Sequence, residues 1–161
     1  MWDSNGLDYR RAESNSTTNG NSRGRIPDAY AINPDLFVWA IENNSSLDHV
    51  LHCFWEKTST PAGHTLPMTG TESSKAGWGA EGWRLRLRPD FPQTGLTPGA
   101  QVLVRTLKTY GMYLGDNAGS GGTSLKLGMR PGFSWATYLS AASLASVKWS
   151  DWQVVQPGWV A

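Results

Sequence analysis

The sequence predicts a mainly β domain, an antiparallel β-sandwich or jelly roll with one or two short α-helices. Glycine, serine, threonine and asparagine are abundant, nine tryptophans are present and only 17% of the residues are charged, which is typical of a loop-rich β protein. Short segments of strand character outnumber the two segments of helical character. Both helical segments come late in the chain, so we expect them to pack at an edge or an end of the sheets.

The chain of 161 residues has the length of one domain with a buried core. Residues 1–22 are polar and lack apolar periodicity, which predicts an extended or flexible arm. Residues 23–161 form the single β-rich domain. An extended arm can add to a neighbouring subunit, so self-association through residues 1–22 is a predicted partnership.

Three strands are predicted in the first half of the domain. Residues 30–41 carry apolar side chains on both faces, which suits a strand between two layers. Residues 47–57 form the second strand, although their apolar spacing also fits a helix, and residues 58–79 form a long loop. Residues 83–88 alternate cleanly between apolar and basic. Their core-facing side chains are Trp83, Leu85 and Leu87, and Arg84, Arg86 and Arg88 lie on the other face.

The clearest helix signal begins at Thr97. Its side chain can cap the helix, and Pro98 suits the first helical position because its missing N–H costs nothing there. Lys108 lies in the last turn, where a cation complements the helix dipole, and Gly111 is the expected left-handed residue after the helix. The apolar stripe has the spacing i, i+3, i+4, i+7 and consists of Ala100, Leu103, Val104 and Leu107.

The second half of the domain contains four more predicted elements. Residues 112–114 begin a strand that leads into a glycine-rich loop at residues 118–123. A short strand at 125–127 and a second helix at 133–145 follow. The last strand, at 152–155, is closed by a proline and a glycine.

Charge and cysteine content exclude several classes of function. The formal net charge of +1 gives no electrostatic footprint for nucleic acid. Cys53 is the only cysteine, so an internal disulfide and a thiolate metal cage are both excluded, and we predict no metal and no cofactor. No apolar run is long enough to cross a membrane. Residues 1–4 also lack the basic and apolar regions of a signal peptide.

Asp116 and Asn117 are the candidate functional residues at the start of the glycine-rich loop. Loop carboxylates and amides often bind ligands, and Asp116 is the candidate catalytic carboxylate. The same residue types also occur in ordinary turns, where their side chains bond nearby backbone N–H groups. Hydrolysis of a glycosidic bond needs a second carboxylate, for which Glu56 and Glu81 are the candidates.

Tryptophans are further candidates for ligand binding. Trp78 lies in a glycine-rich loop without a periodic partner, so we expect an exposed ring that can stack on the apolar face of a sugar. Trp39, Trp55 and Trp83 lie in predicted strands, and we expect these three in the core. Further tryptophans crowd the C-terminal end of the chain.

The arginine stripe has two interpretations. Arg84, Arg86 and Arg88 are candidate ligand-binding residues, because three cations on one strand face can form a groove for an acidic glycan or a phosphate. The alternative is a solvated face that pairs with acidic side chains of neighbouring strands, which is the commoner situation.

A catalytic or metal site at residues 49–53 is disfavoured. On a strand His49 and Cys53 share one face and His52 lies on the other, so the three side chains do not converge. A buried cysteine between Leu51 and Trp55 is the expected state of Cys53.

Several runs of residues also occur in a recognisable order. Residues 107–117 read LKTYGMYLGDN, the strand RLRL at 84–87 precedes them, and LASV at 144–147 and WQVV at 152–155 follow. Together these runs resemble a family of larger secreted bacterial proteins. Its members have a G-x-R-x-R-L strand, an A-L-(K/R)-x-Y-G-M helix, an x-A-D-N-G-S loop and a final L-x-x-(L/V)-(K/x)…F-E-V-V unit.

The resemblance is best over residues 82–155, and WDSN at 2–5 is similar to a further W-D-(L)-x-S-N element of the family. This chain differs in having Gly115 where the family has alanine, and residues 118–120 interrupt its N-G-S loop. The resemblance implies a β-rich fold and export from a bacterial cell, but no particular activity. It favours the interpretation of this chain as part of a larger extracellular protein.

The sequence is compatible with three functions. The first is an exported, non-catalytic β-sandwich that binds polysaccharide or another cell-surface polymer through aromatic and polar loop residues. The second is a glycan-active enzyme that uses Asp116. The third is a structural subunit of an extracellular assembly, in which the N-terminal arm pairs with a neighbouring subunit and exposed tryptophans lie in interfaces.

Overall fold

The computed structural model describes residues 30–68, 70–71, 76–118 and 122–156, and these contain one five-stranded sheet and two α-helices. The helices are α1 (Pro34–Glu42) and α2 (Pro98–Thr109), and the strands are β1 (Leu51–Trp55), β2 (Arg84–Leu87), β3 (Met112–Asn117), β4 (Ser124–Leu125) and β5 (Trp152–Val155). The predicted arm at residues 1–22 and the centre of the glycine-rich loop at residues 119–121 lie outside the described residues.

The sheet has the strand order β4-β1-β3-β2-β5. Strands β1 and β3 are parallel, whereas the other three pairs are antiparallel. The prediction of a β-rich fold with short helices is confirmed, but the prediction of a wholly antiparallel arrangement is wrong. Parallel neighbours need a crossover connection, and the chain provides it by passing through β2 and α2 between β1 and β3. The described residues contain one sheet, so the sandwich or jelly roll is not confirmed.

Helix α1 replaces the first predicted strand. The Asn33 side chain accepts hydrogen bonds from two backbone N–H groups of the first turn, at 2.8 and 3.2 Å, and Pro34 takes the first helical position. Helical spacing buries Phe37 and Ala40 on one side and leaves Trp39 on the other, 50% exposed. The predicted core position of Trp39 is therefore wrong, because it was inferred from a strand.

Strands β1 and β2 confirm the next two predictions with shorter bounds. Leu51, Cys53 and Trp55 are buried, as are Leu85 and Leu87, and these side chains form the core face of the sheet. The second predicted strand, at residues 47–57, is longer than β1 at both ends. Burial of Cys53 is confirmed.

Helix α2 covers the core face of the sheet and begins as predicted. The Thr97 hydroxyl accepts a hydrogen bond from the Ala100 N–H at 3.3 Å, and Pro98 is the first helical residue. Buried side chains of α2, including Leu103 and Leu107, belong to the same core cluster as the strands. Gly111 follows with a φ of +75°, as expected for the residue that ends the helix.

The second predicted helix, at residues 133–145, is wrong. This segment contains one 3-10 helical turn, Trp135–Thr137, and then a series of turns. Serine hydroxyls take over backbone groups that a helix would use: the Ser143 hydroxyl accepts from the Ser140 N–H at 2.8 Å, and the Ser140 hydroxyl accepts from the Ala142 N–H at 3.3 Å. A second 3-10 turn, Trp149–Asp151, leads directly into β5.

Thr106 attaches α2 to the chain that enters β1. Its hydroxyl accepts from the Leu47 N–H at 2.9 Å and donates to the Val102 carbonyl at 2.8 Å, and both Thr106 and Leu47 are fully buried.

We expect Thr106→Val to lower the free energy of unfolding by about 2 kcal/mol, because the Leu47 N–H loses its partner. Urea denaturation measures the loss. Thr106→Ser keeps the hydroxyl and is the control; equal losses in both variants would contradict this role of the hydrogen bond.

Candidate functional site

A buried polar cluster lies where β1 and β3 end, and it consists of Thr58, Glu81 and Asn117. The Thr58 N–H donates to Asn117 Oδ1 at 2.8 Å, and Asn117 Nδ2 donates to Thr58 Oγ1 at 2.9 Å and to Glu81 Oε1 at 3.4 Å. Thr58 and Glu81 are fully buried, while Asn117 is half-buried. These three residues are far apart in the sequence. Their hydrogen bonds therefore hold together the segment after β1, the segment before β2 and the end of β3.

The structure places Asp116 and Asn117 within β3, where the sequence predicted a loop. They pair in register with Phe54 and Trp55 of β1. Successive side chains of a strand point to opposite faces, so Asp116 points away from the face on which Asn117 meets Glu81. Asp116 Oδ1 accepts the Asn117 N–H at 2.8 Å, the local contact expected of ordinary turn chemistry.

Pairing of the Asp116 carboxylate with Glu56 or Glu81 stays a prediction. Asn117 Nδ2 contacts Oε1 of the buried Glu81. Glu56, the other candidate, is exposed just after β1. The catalytic role of Asp116 stays a prediction.

A tight contact between β1 and β3 lies beside Asp116. His52 is fully buried, and a Cβ atom built on Gly115 would lie 2.0 Å from His52 Nε2. The pairing register between the two strands shifts at this level, between Cys53 and Phe54. A glycine inside a strand often marks such a close approach, and this was the signal in the sequence that could have indicated the burial of His52.

The tryptophan cluster consists of Trp55, Trp78, Trp83 and Trp149. Trp149 contacts Trp78 and Trp55 with ring centroids 4.8 and 5.2 Å apart, and Trp78 also contacts Trp83 at 5.4 Å. Trp78 is 40% exposed, as predicted, and Trp149 is 54% exposed. Trp55 is buried and Trp83 packs on the core, which confirms their predicted positions.

The tryptophan cluster borders a cavity of about 940 Å³. Trp55 and Trp149 belong to both. The floor of the cavity is formed by α2 and the core face of the sheet, and the irregular segment at residues 135–149 forms its wall. No motif in the sequence indicated this cavity, because its walls come from elements that are distant along the chain.

Each arginine of the predicted stripe is half-buried and has a partner. Arg84 Nε donates to the Tyr110 carbonyl at 2.6 Å, and Arg86 Nε donates to Gln153 Oε1 at 3.1 Å. Arg88 forms an ion pair with the buried Asp151 at 3.2 Å, just before the neighbouring strand β5. These contacts fit the interpretation of a paired strand face, and ligand binding by the three arginines stays a prediction.

His49 contacts the side chain of its neighbour Asp48. His49 Nδ1 lies 2.8 Å from Asp48 Oδ1, and this hydrogen bond lowers the pKa of the Asp48 carboxyl. Over the described ranges, no group of three or more histidine, cysteine, aspartate or glutamate side chains is arranged to hold a metal ion.

None of the helices described here has the length and apolar character needed to span a bilayer. In comparisons with protein-family models, curated protein sequences and solved structures, nothing matches this chain.

Proposed function

We propose that this chain is a binding module of an exported protein and that it holds a polysaccharide or another cell-surface polymer on the tryptophan cluster. The observation that carries the proposal is the pair Trp78 and Trp149, two exposed rings in edge-to-face contact at an interplanar angle of 83°. Exposed aromatic groups that form one patch are typical of interaction sites, whereas scattered ones are not.

The rings of this pair are held in place before any ligand binds. Buried Trp55 packs against both rings, and the backbone N–H of Trp78 donates to the Lys57 carbonyl at 3.0 Å. Gly77 lies so close to Lys57 that a Cβ atom there would be 2.0 Å from the Lys57 carbonyl oxygen. A site with fixed rings loses little conformational freedom on binding, which favours affinity.

A sugar ring suits such a surface because it has an apolar C–H face and a polar edge. The C–H face can stack on an indole ring, and the removal of apolar area from water contributes about 25 cal/mol per Å². Two rings at a steep angle contact neighbouring sugar units of a polysaccharide in different ways. The pair therefore favours polysaccharides whose successive units have a matching orientation. Export, suggested by the resemblance to secreted bacterial proteins, would bring the module to such polymers.

Binding to a panel of soluble and insoluble polysaccharides tests the proposal. We expect Trp149→Ala and Trp78→Ala each to weaken binding at least about tenfold, because an aromatic contact at the centre of a site is often worth more than 1.4 kcal/mol. Trp39→Ala is the matched control, since Trp39 is equally exposed but lies on α1 outside the tryptophan cluster. Equal binding by all three variants would contradict the proposal.

Sugar release is measured in the same samples. Retention without release supports a binding module, and Asp116→Asn is then expected to bind like the parent protein. Release that Asp116→Asn lowers by orders of magnitude would instead establish a glycan-active enzyme.

A further inference from the structure

The cavity beside the tryptophan cluster reaches the core of the protein. Its floor includes Leu103 and Leu107 of α2 and Met112 of β3, all of which are buried. The side chains of Leu139, Leu144 and other apolar residues line its wall. With a volume of about 940 Å³, it lies at the upper end of the range typical of small-molecule sites.

The lining is more apolar than polar, and it includes one charged residue. Lys148 is the only charged residue among the described residues that line the cavity. The other polar lining residues carry hydroxyl groups; they are Thr123, Ser124, Ser140 and Ser143. The cavity therefore offers one positive charge and no negative charge to an occupant.

Lys148 is available for such an occupant. No ion pair of the described residues includes it. The nearby Asp151 carboxylate accepts the backbone N–H of Lys148 at 2.8 Å and forms its ion pair with Arg88 at 3.2 Å, and Arg88 also pairs with Asp90 at 3.5 Å. The side chain of Lys148 is exposed, which places its ammonium group where solvent and cavity meet.

The lining discriminates between classes of ligand. A sugar inside the cavity would leave many hydroxyl groups without partners, and an unpaired buried polar group is costly. An alkyl chain gains from contact with the leucine and tryptophan side chains, and a carboxylate at its end gains from Lys148.

We propose that this cavity binds a long-chain carboxylate, with its alkyl chain on Leu103, Leu107 and Leu144 and its carboxylate at Lys148. The site goes beyond the proposed polymer binding, which uses the outer rings of Trp78 and Trp149. Trp149 contributes to both surfaces, so the variants that separate the two sites are chosen at other residues.

Fluorescence titration with cis-parinaric acid tests the proposal on the full chain. Trp55, Trp135, Trp149 and Trp152 line the cavity, so a bound polyene is expected to quench tryptophan emission by energy transfer. Palmitate is expected to displace the probe, and 1-hexadecanol, which lacks the charge, to displace it about tenfold less well. Equal displacement by the two competitors would overturn the assignment of the head group to Lys148.

Two variants test separately how the apolar lining and the charge of Lys148 contribute to probe binding. We expect Leu144→Trp, which fills the cavity, to weaken probe binding at least tenfold, and Lys148→Glu to weaken it about tenfold. Lys57→Glu is the control, since Lys57 is exposed and does not line the cavity. Circular dichroism of each variant verifies folding. Absence of probe binding by the folded parent protein, or binding that neither cavity variant changes, would overturn the proposal.

The two proposals fail independently. Trp78→Ala is expected to lose polymer binding and to keep parinarate binding, because Trp78 does not line the cavity. Leu144→Trp is expected to lose parinarate binding and to keep polymer binding.

Discussion

Replacement of Gly111 by alanine is expected to lower the free energy of unfolding by about 4 kcal/mol, near the upper end of single substitutions. Two costs add. The φ of +75° at Gly111 disfavours a residue with a Cβ atom. A Cβ atom there would also lie 2.1 Å from the Leu85 carbonyl oxygen, and a backbone atom cannot rotate out of the way.

The position explains the size of the effect. Gly111 lies between α2 and β3, its N–H donates to the Thr106 carbonyl, and its carbonyl accepts the Leu51 N–H at 3.0 Å. The end of α2, the start of β1 and the middle of β2 therefore meet at one residue. Relief of the clash has to move at least one of these elements, and all three belong to the core.

Gly95→Ala is the matched control for this experiment. Gly95 has a φ of +80°, and nothing lies within 4 Å of the position of its Cβ atom. We expect this variant to lose only about 1 kcal/mol, the cost of the backbone conformation alone. Urea denaturation followed by tryptophan fluorescence compares the two variants. Similar losses would show that the junction between α2 and β3 relaxes easily.

Local signals predicted the elements around Gly111 correctly. Thr97, Pro98 and Gly111 act within one helix and its ends, so neighbouring residues determine their roles. The same kind of signal was present before α1, since Asn33 and Pro34 form a cap and a first turn. Apolar side chains on both faces of the following segment fit a strand as well as a helix, and the cap is the signal that distinguishes the two.

Local signals of this kind do not predict which strands pair or in which direction. The parallel contact of β1 with β3 depends on the path of the chain through β2 and α2, and no residue pattern in either strand specifies its direction. At residues 133–145, the serine side chains compete with the helical backbone, and the apolar spacing alone did not reveal that competition.

In the candidate site, too, local features were predictable from the sequence and contacts between distant residues were not. Exposure of Trp78 follows from its glycine-rich surroundings, so it was predictable. Its contact with Trp149 joins two loops far apart in the sequence, and so does the contact of Asn117 with Glu81. The sequence singled out Asn117 as a candidate, but only the fold gives it a buried acidic partner.

Asn117→Ala is the second substitution with a large expected effect, a loss of about 3 kcal/mol in the free energy of unfolding. Asn117 accepts from the Thr58 N–H and donates to Thr58 Oγ1 and Glu81 Oε1. Alanine removes all three hydrogen bonds, and the backbone N–H of the fully buried Thr58 then loses this partner. Urea denaturation near neutral pH measures the loss.

Asn117→Asp separates the charge of this position from its shape. The variant places a second carboxyl group about 3.4 Å from Glu81 Oε1, where the amide donated before. Two carboxylates at that distance do not both ionise readily in a buried site, so folding raises the pKa of the pair above its unfolded value. A raised pKa contributes stability at low pH that is lost as pH rises through the folded-state value.

The stability deficit of Asn117→Asp, relative to the parent protein, should therefore be small near pH 4, where the introduced carboxyl group can keep a proton and donate it to Glu81. The deficit should grow toward pH 7 and exceed that of Asn117→Ala. Denaturation of the three proteins across this range measures it, and Asn117→Ala, which removes the same amide but adds no carboxyl group, is the reference. A deficit of Asn117→Asp that does not change with pH would mean that Glu81 does not sense the charge at position 117. The polar cluster would then hold the ends of β1 and β3 together through shape and neutral hydrogen bonds alone.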